Sequence, residues 1–179
     1  MGNEMAISST KLFMSLLAVA MIVLSGCASK VQSPSGMKVG MHIDAVLEFI
    51  VEYPLEWKKD RRLEYGSNEG KVRWSHPDQK GTMLQITSQF RGAQTNEQEL
   101  YLALIEYPGL TESPRDQVEL PAGEAWHISG QTARQKVEIY LFLQPSRIYT
   151  ITLETAPENF ADYQILLDKV IQSFQRIAQ

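Results

Sequence analysis

The stretch Lys136-Val137-Glu138-Ile139-Tyr140-Leu141-Phe142-Leu143 constrains the fold of this 179-residue chain more than any other. Val137, Ile139, Leu141 and Leu143 fall on one side of an extended backbone, and Tyr140 and Phe142 fall on the other. Successive side chains of a strand point to opposite faces, so a strand that is apolar on both must be covered on both. A central strand is therefore expected here. Gln144-Pro145-Ser146 is short enough to turn a hairpin into Arg147–Thr155, where Tyr149, Ile151 and Leu153 alternate inward.

The same period-2 pattern predicts further strands. In Leu47–Tyr53 the residues Leu47, Phe49, Val51 and Tyr53 share a face opposite Glu48 and Glu52, and Pro54 stops the run. Strands are also expected at Lys71–His76, at Thr82–Phe90 with Leu84, Ile86 and Phe90 on one face, and at Ala122–Gln131. Two stretches have helical spacing instead. Leu100, Ala103, Leu104 and Tyr107 mark a helix over about 97–107, with Asn96 and Glu99 as a capping box and Pro108-Gly109 as its end. Phe160, Tyr163, Leu167, Val170, Phe174 and Ile177 mark a second over about 156–177, opened by Thr155 and Glu158 with Pro157 in the first turn. Under three heptads long, that stripe suits packing on a sheet better than a coiled coil. The expected class is α+β: a mainly antiparallel sheet with helices packed on both faces.

The length suits one folded domain, and 44% hydrophobic with 21% charged residues is an ordinary globular balance. The net charge is -4, with basic and acidic residues interleaved, so no basic stripe for nucleic acid is present. Leu12 to Leu24 is an apolar run broken only by Ser15, preceded by Lys11. It has the length of a secretory signal core and falls short of the roughly 20 apolar residues a membrane-spanning helix needs. Translation from Met5 would remove Glu4 from the segment before it.

Leu24-Ser25-Gly26-Cys27 resembles a bacterial lipobox at all four positions. In such proteins the thiol is joined to a diacylglyceryl group, the peptide is cut before the cysteine and the new amine is acylated. Small residues at Ser25 and Gly26 admit the peptidase. Two or more acyl chains anchor stably, at about 0.8 kcal/mol per buried methylene. The resemblance implies residues 1–26 as signal peptide and Cys27 as the site of lipidation. Ala28, rather than an aspartate, after the cysteine implies the periplasmic face of the outer membrane if the host is Gram-negative. "ASKVQSPSG" from Ala28 to Gly36 is a flexible tether with a root-mean-square span of roughly 15–18 Å. Residues 37–179 are then the folded domain.

Phe49-Ile50-Val51-Glu52-Tyr53-Pro54-Leu55-Glu56-Trp57 resembles the opening of PsbP-like domains, and Ile148–Leu153, Pro157–Phe160 and Ser173-Phe174 resemble their last strand and helix. The likeness spans about 47–175. It implies an α/β/α sandwich of the kind found in an extrinsic photosystem subunit and in envelope lipoproteins of the DcrB kind, whose members are generally binding or accessory modules.

Residues able to carry chemistry are sparse. His42, His76 and His127 share no local motif, and a transition-metal site needs three or four convergent ligands. Glu124 and His127, and likewise Ser75 and His76, point to opposite faces if their strands form. Glu48 and Glu52 share the expected solvent face. Gly66–Gly70 reads as a hairpin turn, and phosphate-binding glycine patterns are absent. The expectation is a lipid-anchored envelope accessory or binding protein, not an enzyme, with no metal or cofactor. Tyr65, Trp74 and Trp126 are candidates for a surface that meets a protein partner or small ligand, with core packing as the competing role for Trp74. The alternatives are an envelope hydrolase or metal-dependent enzyme, and a photosynthesis-related extrinsic protein in a photosynthetic host.

Overall fold

The computed structural model describes residues 36–64, 66–105, 107 and 114–177. The proposed signal peptide, Leu24, Ser25, Gly26, Cys27, the tether up to residue 35, and Tyr65 lie outside the described residues. In chain order the strands are β1 (Val39–Asp44), β2 (Phe49–Pro54), β3 (Lys58–Leu63), β4 (Gly70–Ser75), β5 (Met83–Phe90), β6 (Arg115–Leu120), β7 (Gly123–Gln131), β8 (Lys136–Leu143), β9 (Arg147–Thr155) and β10 (Gln175–Arg176). Helix α1 (Asn96–Ile105) lies between β5 and β6, and a 3-10 turn (Pro157–Asn159) leads into α2 (Phe160–Ser173).

Seven strands form one sheet in the order β3-β4-β5-β9-β8-β7-β6, and β1-β2-β10 form a second. All the described pairings are antiparallel. β8 is internal, between β7 and β9, as its two apolar faces require. Its alternation divides the core. Phe142 joins Leu47, Phe49, Val51, Val72, Trp74, Leu84, Ile86, Ile151, Leu153 and the buried side of α2 in one cluster. Val137, Ile139 and Leu141 join Ile128, Ile148 and the α1 residues Leu100 and Leu104 in another. Trp57, 5% exposed, folds back into the first cluster after Pro54 turns the chain, its N–H donating to Pro54 O at 3.2 Å.

The second helix is shorter than its stripe predicts. Phe174 turns to extended backbone (ψ 126°) while its N–H still caps Val170 O, and its ring packs among Phe49, Phe142 and Tyr149. Gln175 and Arg176 then pair with β2, so Ile177 leaves the helical stripe. Ser173 Oγ donates to Val170 O and accepts the N–H of Glu52, which ties the helix end to β2. Both predicted capping boxes are corrected. At α1 the reciprocal pair is one residue earlier: Gln98 N–H donates to Thr95 Oγ1 and Thr95 N–H to Gln98 Oε1. At the turn before α2, the Thr155 hydroxyl meets Thr82 Oγ1 at 3.1 Å instead of capping.

Glu48 is not on the solvent face. It holds the one positive φ among the described non-glycine residues (62°), in the turn from β1 to β2, and its carboxylate lies 3.1 Å from Arg147 Nε. Gly70, at φ 154°, starts β4 where a Cβ would stand 2.2 Å from Arg62 O, so only glycine fits.

Candidate binding groove on the open sheet face

The face of the seven-stranded sheet that α1 packs on changes character halfway across. Register aligns Arg73, Gln85, Thr152, Ile139 and Ile128 in one row from β4 to β7. The next row runs Lys71, Thr87, Thr150, Leu141 and Trp126. Both rows are polar across β4, β5 and β9 and apolar across β8 and β7. Helix α1 sits on the apolar half, and a groove opens over the polar half.

Two cavities that share Thr87 and Gln89 make up this groove. The one beside α1, about 260 Å³, is floored by Gln85, Thr150 and Thr152 and walled by Glu99, Leu102, Ala103 and Tyr107. The other, about 560 Å³, extends toward β3 and β4, where Arg62, Lys71, Glu64 and Glu69 line it. Arg73 holds the floor by donating Nε and Nη2 to Gln85 Oε1, at 3.1 and 2.8 Å. Tyr107 donates its hydroxyl to Glu154 Oε1 at 3.0 Å, and Glu69 accepts the Phe90 N–H at 2.6 Å. Gln85 and Thr152 are buried at the floor, 3% and 2% exposed, Thr87 and Thr150 are half-buried, and Gln89 is exposed. The groove thus offers neutral donors and acceptors on a rigid floor, with cations and carboxylates mixed at its β3 end. It is suited to hold a polar ligand or a peptide backbone.

The residues singled out from sequence are placed elsewhere. Trp74 is fully buried in the first core cluster, so it cannot meet a partner. Trp126 is half-buried against the second cluster, opposite Leu141. The two do not share a surface.

The three histidines have separate surroundings with no ring partner in common. His42 packs against Phe49, Tyr53 and Trp74. Its Nδ1 lies 3.1 Å from Lys59 Nζ, and burial, then the Lys59 charge, hold its pKa below the ordinary value. His76 Nδ1 accepts the N–H groups of Asp78 and Gln79 and so shapes the turn from β4 to β5. His127 stacks on Tyr140 with centroids 4.6 Å apart. Among the described residues no three potential ligands gather around a metal-sized space.

Pairing of β7 with β8 makes one polar cluster that the sequence did not reveal. Glu138, 6% exposed, lies 2.5 Å from His127 Nε2, 2.6 Å from Ser129 Oγ and 2.9 Å from Lys136 Nζ. Burial pushes the Glu138 carboxyl up, but the hydrogen bonds from His127, Ser129 and Lys136 outweigh it and leave the pKa below the usual range. Lys136 also donates to Ser129 Oγ. The serine hydroxyl therefore meets a donor and a carboxylate already saturated by three partners, an arrangement that holds the strands together rather than freeing a nucleophile.

A third cavity, about 510 Å³, lies by the β8–β9 hairpin and is lined by Glu48, Gln144, Arg147, Tyr149 and Arg176. Arg147 is spent on structure: Nη1 donates to Asn68 O and Ser88 Oγ, both at 2.8 Å, and the guanidinium lies over the Phe90 ring.

The chain matches no family model and no curated protein. Its fold is similar to the solution structure of cyanobacterial PsbP (CyanoP) from Synechocystis sp. PCC 6803, with a TM-score of 0.58 at 11% identity, covering 86% of this chain and 99% of that one. A protein of Bacteroides thetaiotaomicron aligns with a TM-score of 0.55 at 12% identity, over 80% of this chain and 50% of its own. LpqN, involved in cell envelope biogenesis of Mycobacterium tuberculosis, aligns with a TM-score of 0.49 at 11% identity, over 79% and 92%. The described residues have a PsbP-like fold of mostly antiparallel strands with two α-helices.

Proposed function

We propose that the protein is a lipid-anchored accessory module of the bacterial cell envelope that binds its ligand or partner in the groove over β5 and β9, without catalysing a reaction. The observation that carries the reading is the polar patch of Gln85, Thr87, Thr150 and Thr152, with Gln85 and Thr152 buried at the floor of a cavity and Thr87 and Thr150 half-buried, beside the apolar half that α1 covers. Anchoring is supported by the lipobox-like Leu24-Ser25-Gly26-Cys27. The separate settings of His42, His76 and His127, and the saturated Glu138 cluster, favour binding over hydrolysis. The reading takes α1 and α2 as covers on opposite faces of the large sheet, supported by the alternation of β8 between the two core clusters.

Two experiments test it. Labelled palmitate should enter the wild type and not Cys27→Ala, which should accumulate as precursor; labelling that survives the substitution refutes the anchor. A photo-crosslinking residue at Gln89 should give a discrete adduct in the native envelope, absent when the same residue is placed at Glu124, which is exposed on β7. Identical adducts from both positions, or none from Gln89, refute the groove.

A further inference from the structure

The wall that α1 gives to the groove contains a buried carboxylate. Glu99, Leu102 and Ala103 lie at i, i+3 and i+4, one face of the helix, and that face borders the cavity of about 260 Å³. Glu99 is 8% exposed and is the one charged residue in the lining. The rest combines apolar Leu102, Leu141 and Ile148 with neutral Gln85, Thr150 and Thr152.

A carboxylate in the first turn of a helix meets the positive end of its dipole. Glu97 does so from an exposed position, so the dipole does not account for the burial of Glu99 against a cavity. A buried charge is costly unless a partner of opposite sign stands beside it. Arg73 is engaged at the floor, where Nε and Nη2 donate to Gln85 Oε1, and it does not line the cavity. Arg62, farther out on β3, is paired with Asp60.

We infer that the cavity beside α1 takes a primary ammonium group on a hydrocarbon stem, with Glu99 as its counter-ion. This deepens the groove reading above and rests on it. An ammonium brings three N–H donors and no acceptor. The Glu99 carboxylate and the hydroxyls of Thr150 and Thr152 are acceptors suited to it, and Leu102, Leu141 and Ile148 offer the surface along which a methylene stem lies. An anionic or uncharged ligand would leave the buried carboxylate without a cation. A lysine side chain of a peptide and a free alkylamine share the required chemistry.

The test uses the full-length protein in detergent micelles, titrated with Nα-acetyl-lysine methylamide, its Nε-acetylated form and n-butylamine, and read by saturation-transfer NMR. Wild type should bind the lysine derivative about tenfold or more tightly than the Nε-acetylated form. Glu99→Gln, which keeps the shape and removes the charge, should erase that preference. Thr150→Val, with the carboxylate intact, should weaken the lysine derivative several-fold and keep the preference, a pattern that loss of folding would not give. Tighter binding of the lysine derivative than of butylamine assigns the ammonium to a peptide, and equal binding assigns it to a free alkylamine. Equal affinity of wild type for the amine and its acetylated form, a preference that survives Glu99→Gln, or no transfer to either amine overturns the inference. Crosslinking from Gln89 in the native envelope separates this failure from that of the groove: an adduct without any amine preference removes only the ammonium ligand, whereas no adduct refutes the groove itself.

Discussion

Asp44 joins the two sheets, and its removal should make the fold measurably less sensitive to acid. It is 3% exposed at the end of β1. Oδ1 accepts the N–H groups of Val46 and Leu47 at 3.1 and 3.0 Å, and Arg61 on β3 grips the carboxylate with Nε at 2.6 Å and Nη2 at 2.8 Å. Burial pushes the carboxyl up, but the Arg61 fork and the two backbone donors hold it at about 2, against an ordinary 3.8. A tenfold change in proton affinity is worth about 1.4 kcal/mol. The Arg61 side chain is 34% exposed, and solvent screening there leaves roughly 1–2 kcal/mol for the pair. Because the folded pKa lies below the unfolded one, this stability is whole above pH 3.8 and is lost as pH falls toward 2. Asp44→Asn keeps an oxygen for Val46 and Leu47 and removes the charge. Urea unfolding followed by tryptophan fluorescence should show wild type ahead by roughly 1–2 kcal/mol near neutrality, with the gap closing as the carboxyl protonates. His42 resists protonation in the fold, and Asp44 partly offsets this, so the substitution also makes His42 harder to protonate and the gap should widen through the histidine range before it narrows as the Asp44 carboxyl protonates. A gap that stays constant down to pH 2, or no gap at neutrality, refutes the reasoning.

Thr95→Ala should cost about 1 kcal/mol in the same assay, whereas Asn96→Ala, outside the capping box, should leave α1 unchanged; the reverse order would restore the capping read from sequence. Trp74→Ala should destabilise by about 3–5 kcal/mol, as expected for a fully buried indole, and Trp126→Ala, half-buried, by clearly less. Glu138→Gln should cost about 1–3 kcal/mol, because it removes the charge and turns one of the two oxygens shared by His127, Ser129 and Lys136 into a donor amide. The Glu138 carboxyl has a lowered pKa, so its contribution is held above 4.5 and lost below, and the gap to wild type should narrow in acid titration of the unfolding midpoint.

Strands whose buried side is apolar were legible; those exposed on both sides were missed, and so was β1, whose buried side carries the polar His42 and Asp44 while Met41 and Ile43 face out. β2, β4, β5, β7, β8 and β9 all show apolar alternation, and the structure places each within a residue or two of its expected bounds. β3, Lys58–Leu63, is exposed at all six positions, so an edge strand of this kind carries no period-2 signal. β6 is another edge, with no buried position. The second helix overran because Phe174 and Ile177 preserve helical spacing after the backbone has turned extended. The Glu138 cluster was hidden for a different reason: His127 and Glu138 come together only through the β7–β8 register, which places Ser129 opposite Glu138.

The groove follows from a mismatch of widths that the alternation alone does not disclose. Gln85, Thr87 and Gln89 alternate with Leu84, Ile86 and Ser88, and Thr150 and Thr152 with Ile151 and Leu153, so a polar face on each strand was readable. Only the order β5-β9-β8 makes those two faces adjacent and sets them beside the apolar Ile139 and Leu141. Strands stand about 4.8 Å apart and a helix with its side chains is about 10 Å across, so one helix covers about two strands. α1 fulfils that over β7 and β8. A second helix over β9 and β5 would require apolar residues where Thr150, Thr152, Gln85 and Thr87 stand, because buried hydroxyl and amide groups without partners each cost about 1–3 kcal/mol. These four positions instead line a polar cavity beside α1, Gln85 and Thr152 buried at its floor and Thr87 and Thr150 half-buried.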